Sequence, residues 1–242
     1  MKDYMEIKTD YQLDCTIDRY YQLLKKKKVF NIYPKLEEQF TLYKELLKDS
    51  STLIDRECND FFEIPITTGS EDDYYYLNWS VDLIDKYVNE NINSAKGIPI
   101  GDPNIFSCDS RLNTQKFEYF KTIDKIEKPI VLSFHLPIRK WLVIDGNHRF
   151  HVAKYRNDKS IKAILLYPNT HWQFLVNDIC RKQYIIHHNL HIIINLCHYP
   201  LRFLLKSSKN LDMNSYYPLD EDLNFSFIKN IRLYFQQIMK TN

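Results

Sequence analysis

The chain lacks both a cysteine framework and an apolar leader. Its five cysteines are odd in number, widely scattered and free of any C-x-x-C pair. Secreted domains that depend on disulfides place cysteines in even numbers at characteristic spacings. The first ten residues carry acidic side chains where a signal peptide needs an apolar region. We therefore expect a cytoplasmic protein.

Neither sign of charge dominates. The 33 Lys and Arg residues face 31 Asp and Glu residues, which leaves a formal net charge of +2. No global basic field indicates a nucleic-acid partner, although a local basic patch stays open. With 44% hydrophobic and 26% charged residues, the composition is that of a folded globular protein. The 242 residues allow one large domain or a core with substantial additions.

Long hydrophobic runs are also missing. The segment 183–201 has no Lys, Arg, Asp or Glu, but it contains four histidines, two asparagines and Pro200. A helix that faces lipid tolerates these residues poorly. We expect buried helices here and no membrane partner.

Three regions differ in their patterning. Residues 1–95 are predicted to be mainly helical, because stretches such as 17–24 and 36–47 repeat apolar residues every three or four positions. Residues 96–168 mix helix and strand patterns, and residues 169–242 return to helical patterning. The predicted fold class is α+β, with a small mixed-sheet core between helical N- and C-terminal extensions.

The middle region follows the order helix, strand, strand, helix, strand. Apolar spacing predicts a helix over 110–123, and alternation predicts a strand over 130–136. A second strand, 141–144, runs into Asp-Gly, after which we predict a helix over 147–156 and a third strand over 161–167.

One of only four glycines stands between the second strand and the following helix, in V-I-D-G-N-H-R-F-H at 143–151. The start of a helix presents unpaired N–H groups and the positive end of its dipole, which attract an anion. Gly146 would let the backbone approach that anion. His148 and Arg149 would close around phosphate oxygens, Arg149 in bidentate fashion.

A purely structural role explains the same residues equally well. Asp145 would cap the helix, Gly146 would make the turn, and Arg149 would pair with a surface carboxylate. Five residues alone do not separate these two interpretations.

A wider stretch resembles the ParB/sulfiredoxin superfamily. The resemblance is carried by K-P-I-V-L-S-F (128–134), W-L-V-I (141–144), D-G-N-H-R (145–149) and F-H-V-A-K-Y (150–155). Members typically carry D-G-x-H-R or G-x-R-R at this turn, followed by an alanine-containing helix and another strand, here 161–166. The resemblance covers about residues 96–168 and implies a ParB/sulfiredoxin-like core there.

The resemblance also implies a nucleotide-phosphate site. The superfamily includes CTP-binding chromosome-partition proteins, ATP-using sulfiredoxins and a free-serine kinase. Residues implied to contact the phosphates of ATP, ADP or CTP are Gly146, Asn147, His148 and Arg149. Asp145 would position the loop or help to coordinate Mg²⁺. Asn147 stands where the sulfiredoxin signature G-C-H-R has its cysteine, which argues against sulfiredoxin chemistry because an amide cannot form the sulfur intermediate.

Phosphotransfer or hydrolysis also needs a carboxylate that orients or deprotonates the nucleophile. The upstream candidates are Asp102, Asp109 and Glu118, and we prefer Asp102 because it follows a glycine in a predicted loop. The predicted catalytic set is then Asp102, Asp145 and His148.

Two other clusters are candidate metal ligands. One comprises His187, His188, His191, Cys197 and His198. His187 and His191 share a helix face, as a zinc site requires, but the surrounding isoleucines favour buried histidines. The other is the acidic run 71–73, although such runs usually face solvent.

The leading prediction is a ParB-like nucleotide-binding protein that acts as a kinase-like, NTP-dependent phosphotransferase or as an NTPase. Its second substrate would be a small molecule or a protein. One alternative is a DNA-binding protein or nuclease of the ParB-like type, for which the basic runs 25–28 and 181–182 would contact phosphates. The other alternative is a non-catalytic interaction module that keeps the fold without the chemistry.

Overall fold

The computed structural model describes residues 13–28, 30, 35–54, 58, 60–68, 74–108, 112–123 and 126–198. The helices are α1 (Asp14–Lys26), α2 (Lys35–Lys48), α3 (Val81–Asn91), α4 (Thr114–Thr122), α5 (Asn147–Tyr155), α6 (Pro168–His171) and α7 (Asp178–His198). The strands are β1 (Phe61–Thr67), β2 (Tyr74–Ser80), β3 (Lys96–Pro99), β4 (Ile105–Phe106), β5 (Ile130–His135), β6 (Lys140–Asp145) and β7 (Ser160–Leu166).

Five strands form one mixed sheet in the order β3-β7-β5-β6-β4. β5 runs antiparallel to β6 and parallel to β7. At the edges, β3 is antiparallel to β7, and β4 is parallel to β6. A mixed sheet accompanied by helices confirms the α+β class.

The predicted order of helix, strand, strand, helix and strand is confirmed as α4, β5, β6, α5 and β7. The two edge strands were not predicted. β3 contains Gly97 and Pro99, and β4 has only two residues, so neither shows strand periodicity. Pairing with the longer strands β7 and β6 gives them their extended conformation.

The N-terminal region is not helical throughout. α1 and α2 match the apolar repeats, and the basic run 25–28 is exposed at the end of α1. However, β1 and β2 form a separate two-stranded sheet within the region predicted to be mainly helical. β2 buries four consecutive residues, from Leu77 to Ser80, so its burial pattern does not show the two-residue alternation that identifies a strand in sequence.

Contacts divide the described residues into two compact units. One contains residues of 53–65 and 76–180, and with them the whole five-stranded sheet. The other contains residues of 13–52, 66–75 and 181–198. The domain boundaries at 95 and 168 stay a prediction. No helix in the described ranges is both long and apolar enough to cross a membrane.

Both faces of the three inner strands of the sheet are buried. On one face, α5 packs onto the strands in a cluster that includes Ile130, Leu132, Val143, Phe150, Ala153, Ile161 and Ala163. The opposite face buries Val131, Ser133, His135, Leu142, Ile144, Ile164 and Leu166. Each large aliphatic side chain buried in this way contributes about 1.5–3 kcal/mol. The turn between β6 and α5 therefore starts from a rigid strand.

Candidate functional site

The D-G-N-H-R turn joins the end of β6 to the start of α5. Gly146 is the N-cap residue and adopts a left-handed conformation, with φ +85° and ψ 25°. No side chain caps the helix, and its first turn holds no acidic residue. The interpretation of Asp145 as the helix cap is therefore wrong, and no capping side chain occupies the N–H groups of the first turn.

Arg149 lies beneath this turn and is 8% exposed. Its Nη2 donates to Asp145 Oδ2 at 2.8 Å and to the carbonyl of Pro129 at 3.3 Å. A Cβ atom on Gly146 would stand 2.7 Å from Arg149 Nη2 and 2.7 Å from Ile130 Cγ2. Glycine is required here because the guanidinium and Ile130 fill the space on that side. The partner of Arg149 is Asp145 of the same turn, and not a separate surface carboxylate.

Asn147 ties the turn to the segment that follows β4. Its Nδ2 donates to the carbonyl of Cys108 at 2.6 Å. The side chain is 7% exposed, and its Oδ1 is buried without a hydrogen-bond partner in the described part of the chain. Arg149 Nε is also buried and lacks a partner among the same residues. Unpaired buried polar atoms are costly, so each calls for a further partner such as a water molecule, an ion or a ligand.

His148 links the starts of two helices. Its Nε2 accepts a hydrogen bond of 2.8 Å from the backbone N–H of Asn113, whose own side chain caps α4 by accepting from the Lys116 N–H. Nε2 is thus an acceptor, and the neutral ring carries its proton on Nδ1. Burial lowers the pKa of His148, and the nearby charges of Lys116, His151 and Arg149 lower the pKa further. At neutral pH His148 offers a neutral N–H donor and not a cation.

α4 and α5 run parallel. At one end His148 binds Asn113, and at the other end Arg156 donates to the carbonyls that finish α4, those of Phe120, Lys121 and Ile123. Asn113 and His148 are 35 residues apart, and so are Lys121 and Arg156, so the two helices pair in register. Both N-termini therefore lie at the same end. An Asn three residues before Lys116 is a recognisable capping signal, whereas nothing in the sequence predicts the role of Arg156.

Asp102 lies away from the turn. It accepts from the backbone N–H of Asn104, whose carbonyl accepts from Trp141 at the beginning of β6. Asp145 ends the same strand, about 13 Å further along at ~3.3 Å per residue. Asp145 and His148 thus lie in the same turn, where they contact Arg149 and Asn113 respectively, and Asp102 lies at the opposite end of β6.

Of the other two candidates for the catalytic acid, the structure describes one. Glu118 is exposed on α4 and pairs with Lys121 at 3.0 Å. Asp109 lies outside the described residues.

The histidine-rich segment is largely buried. His187 is 2% exposed, and its Nδ1 lies 2.9 Å from the Tyr75 hydroxyl. His188 is fully buried. The side chains of Cys197 and His198 and the acidic run 71–73 lie outside what the structure describes. Within the described residues, no group of three or more His, Cys, Asp or Glu side chains is placed to hold a metal.

The chain matches no family model, and no curated protein and no solved structure is a match to it. The likeness to the ParB/sulfiredoxin superfamily therefore remains a resemblance carried by the residues of the turn and its flanking elements.

Proposed function

We propose that the protein binds a nucleotide by its phosphate groups at the D-G-N-H-R turn. The observation that carries this proposal is the convergence of two parallel helix N-termini at the His148–Asn113 hydrogen bond. α4 and α5 each have nine residues, and neither has an acidic residue in its first turn. Each N-terminus carries roughly half a positive charge, so the two starts together favour a multiply charged anion.

The nearby side chains add positive charge. The charged groups that act on His148 are Lys116, His151 and Arg149, all of them cationic when protonated. Phosphate oxygens would accept from the backbone N–H groups of Asn147 and His148 and from the His148 Nδ1–H. Arg149 Nε, a buried donor that lacks a partner among the described residues, gives a second indication of an incomplete site.

Arg149 and Asp145 have a supporting role in this proposal. The guanidinium is held beneath the turn, where it offsets the negative charge of Asp145 and fixes the conformation of Gly146. Because the Asp145 carboxylate is engaged by Arg149, it suits the role of positioning the loop better than that of a Mg²⁺ ligand. Magnesium would then arrive with the nucleotide, where it offsets phosphate charge.

The ligand class and the reaction come from the resemblance. It implies ATP, ADP or CTP with Mg²⁺, and kinase-like phosphotransfer or NTP hydrolysis as the chemistry. The geometry of the turn supports binding more strongly than turnover, because its carboxylate, Asp145, is committed to an ion pair. Bound nucleotide without phosphate release or transfer would favour the non-catalytic interaction module.

The test is isothermal titration of the full chain with ATP, ADP and CTP in the presence of Mg²⁺. His148→Glu places a negative charge in the first turn of α5, which suits the helix dipole but repels an anion. We expect this variant to stay folded and to lose at least tenfold in nucleotide affinity. Lys162→Gln, at an exposed position of β7, makes the same change in net charge and should leave affinity unaltered. Absence of nucleotide binding, or unchanged binding by His148→Glu, would refute the proposal.

A further inference from the structure

The parallel helices α4 and α5 meet along a seam that runs away from the turn. The residues at this seam are spaced i, i+3 and i+7 on α5 and i, i+4 and i+8 on α4. Residues with these spacings lie on the same face of a helix. The seam consists of His148, His151 and Tyr155 on α5 and of Asn113, Phe117 and Lys121 on α4. His148 and Asn113 form its N-terminal end, and Tyr155 and Lys121 form its other end.

An aromatic platform occupies that second end. The rings of Phe117 and Tyr155 lie edge to face, with centroids 6.1 Å apart and an interplanar angle of 78°. Lys121 Nζ lies over the Tyr155 ring at 4.7 Å from its centroid and over Phe117 at 5.7 Å. Even so, Tyr155 is 63% exposed. The platform thus presents a partly immobilised aromatic ring to solvent.

The two ends of the seam differ in charge. Near His148 the charges that act on its pKa, those of Lys116, His151 and Arg149, are positive, and Asp145 balances only that of Arg149. At the platform, Glu118 pairs with Lys121 at 3.0 Å, so the ammonium is largely balanced. One end therefore favours an anion, and the other favours a flat, uncharged π system. Seven residues of α5 separate His148 from Tyr155, or about 10 Å. An extended nucleoside diphosphate or triphosphate bridges such a separation.

From this arrangement we infer that Tyr155, supported by Phe117 and Lys121, stacks on the base of the nucleotide. This inference rests on the proposed function and adds a nucleobase subsite to the phosphate site. The balanced charge at the platform favours a single nucleoside phosphate over a nucleic-acid strand, since a strand would bring further phosphates beside Glu118.

The experiment compares ligands with and without a base. Probes are ATP and CTP with Mg²⁺, inorganic tripolyphosphate with Mg²⁺, and a single-stranded oligothymidylate. The variants are Tyr155→Leu and, as a matched control, Tyr119→Leu. Tyr119 is also 63% exposed, but it lies two residues from both Phe117 and Lys121, roughly 200° around α4 and away from the seam.

We expect the wild type to bind one of the nucleotides at least tenfold more tightly than tripolyphosphate. Tyr155→Leu should lose about tenfold in nucleotide affinity, in keeping with the loss of one stacked base, and should bind tripolyphosphate as the wild type does. Tyr155→Phe should retain nucleotide affinity. Tyr119→Leu should change the affinity for neither the nucleotide nor tripolyphosphate.

The inference is overturned if tripolyphosphate binds as tightly as both nucleotides, or if Tyr155→Leu and Tyr119→Leu behave alike. Tighter binding of the oligothymidylate than of either nucleotide would overturn the assignment to a single nucleoside phosphate. None of these outcomes contradicts the proposed phosphate site at the turn. Failure of the proposed function is distinct, because neither tripolyphosphate nor any nucleotide would then bind.

Discussion

The backbone N–H of Asn113 donates to His148 Nε2 across 2.8 Å, so the start of α4 fixes the tautomer of a side chain in the first turn of α5. This bond exists only while Nε2 is unprotonated. Protonation of His148 would place two donors against each other and would add a charge beside Lys116.

Stability should therefore fall as the pH is lowered. The pKa of His148 in the folded protein lies below its ordinary value of 6.5, first because of burial and then because of Lys116, His151 and Arg149. The unfolded state binds the proton more tightly, so the contribution is complete above the unfolded pKa and is lost as pH falls through the folded pKa. Urea denaturation at a series of pH values from 7.5 to 5 measures this dependence. His148→Gln, whose amide oxygen still accepts from Asn113, should show a smaller decrease, and an identical decrease would contradict the prediction.

Gly146→Ala should destabilise the protein by about 2–4 kcal/mol. The new Cβ meets Arg149 Nη2 and Ile130 Cγ2 at 2.7 Å, and the residue must keep a φ of +85°. Gly101→Ala is the matched control, because its Cβ would meet no atom within 4 Å. Thermal or urea unfolding separates the two, and equal losses would show that packing beneath the turn does not determine the choice of glycine.

Arg149→Met should cost about 2–4 kcal/mol, because it leaves the Asp145 carboxylate poorly solvated and without its cation. The two side chains are 9% and 19% exposed. The double variant Asp145→Asn with Arg149→Met removes both charges and should regain at least ~1 kcal/mol relative to the sum of the single losses. Additive losses in denaturant unfolding would mean that the ion pair does not hold the turn.

Arg156→Gln should loosen the end of α4. The guanidinium donates to the carbonyls of Phe120, Lys121 and Ile123, and the shorter amide reaches fewer of them. We expect a loss of about 1–2 kcal/mol and faster hydrogen exchange of α4 amides. Lys154→Gln, at an exposed position of α5, should alter neither quantity. Unchanged exchange in Arg156→Gln would indicate that α4 does not depend on this contact.

Asp102→Asn should leave nucleotide affinity, and any turnover, within about twofold of the wild type. The side chain accepts from the backbone N–H of Asn104, which an asparagine oxygen can also do, and it lies at the far end of β6 from Gly146. Phosphate-release assays and titration test this. A large loss of turnover with unchanged affinity would reinstate Asp102 as the catalytic acid.

Much of the sheet follows from local patterning. β5, β6, β7 and α5 were predictable to within about a residue, because the strands are mainly apolar and α5 follows directly on the Asp-Gly turn. β3 and β4 were not predictable, because neither has enough strand-forming residues to show a period. β1 and β2 lie in the region predicted to be mainly helical, and adjacent buried residues in β2 obscure its alternation.

For the candidate site, too, the sequence predicted some features and not others. Its position at a strand-to-helix turn was evident from D-G-N-H-R, as was the need for glycine there. The direction in which each side chain points could not be predicted from the sequence. Arg149 points beneath the turn and not outward because Asp145, Pro129 and the missing Cβ of Gly146 provide a buried place for the guanidinium.

The sequence by itself determined the α+β class, the order of elements in the central region and the position of the strand-to-helix turn. These features depend on residues close together in the chain. The tertiary structure decided that α4 lies parallel to α5, that their N-termini meet at His148 and Asn113, and that Asp102 lies elsewhere. Those relationships join residues 35 or more positions apart, and contacts between elements that are distant in the chain, which no local pattern encodes, fix them.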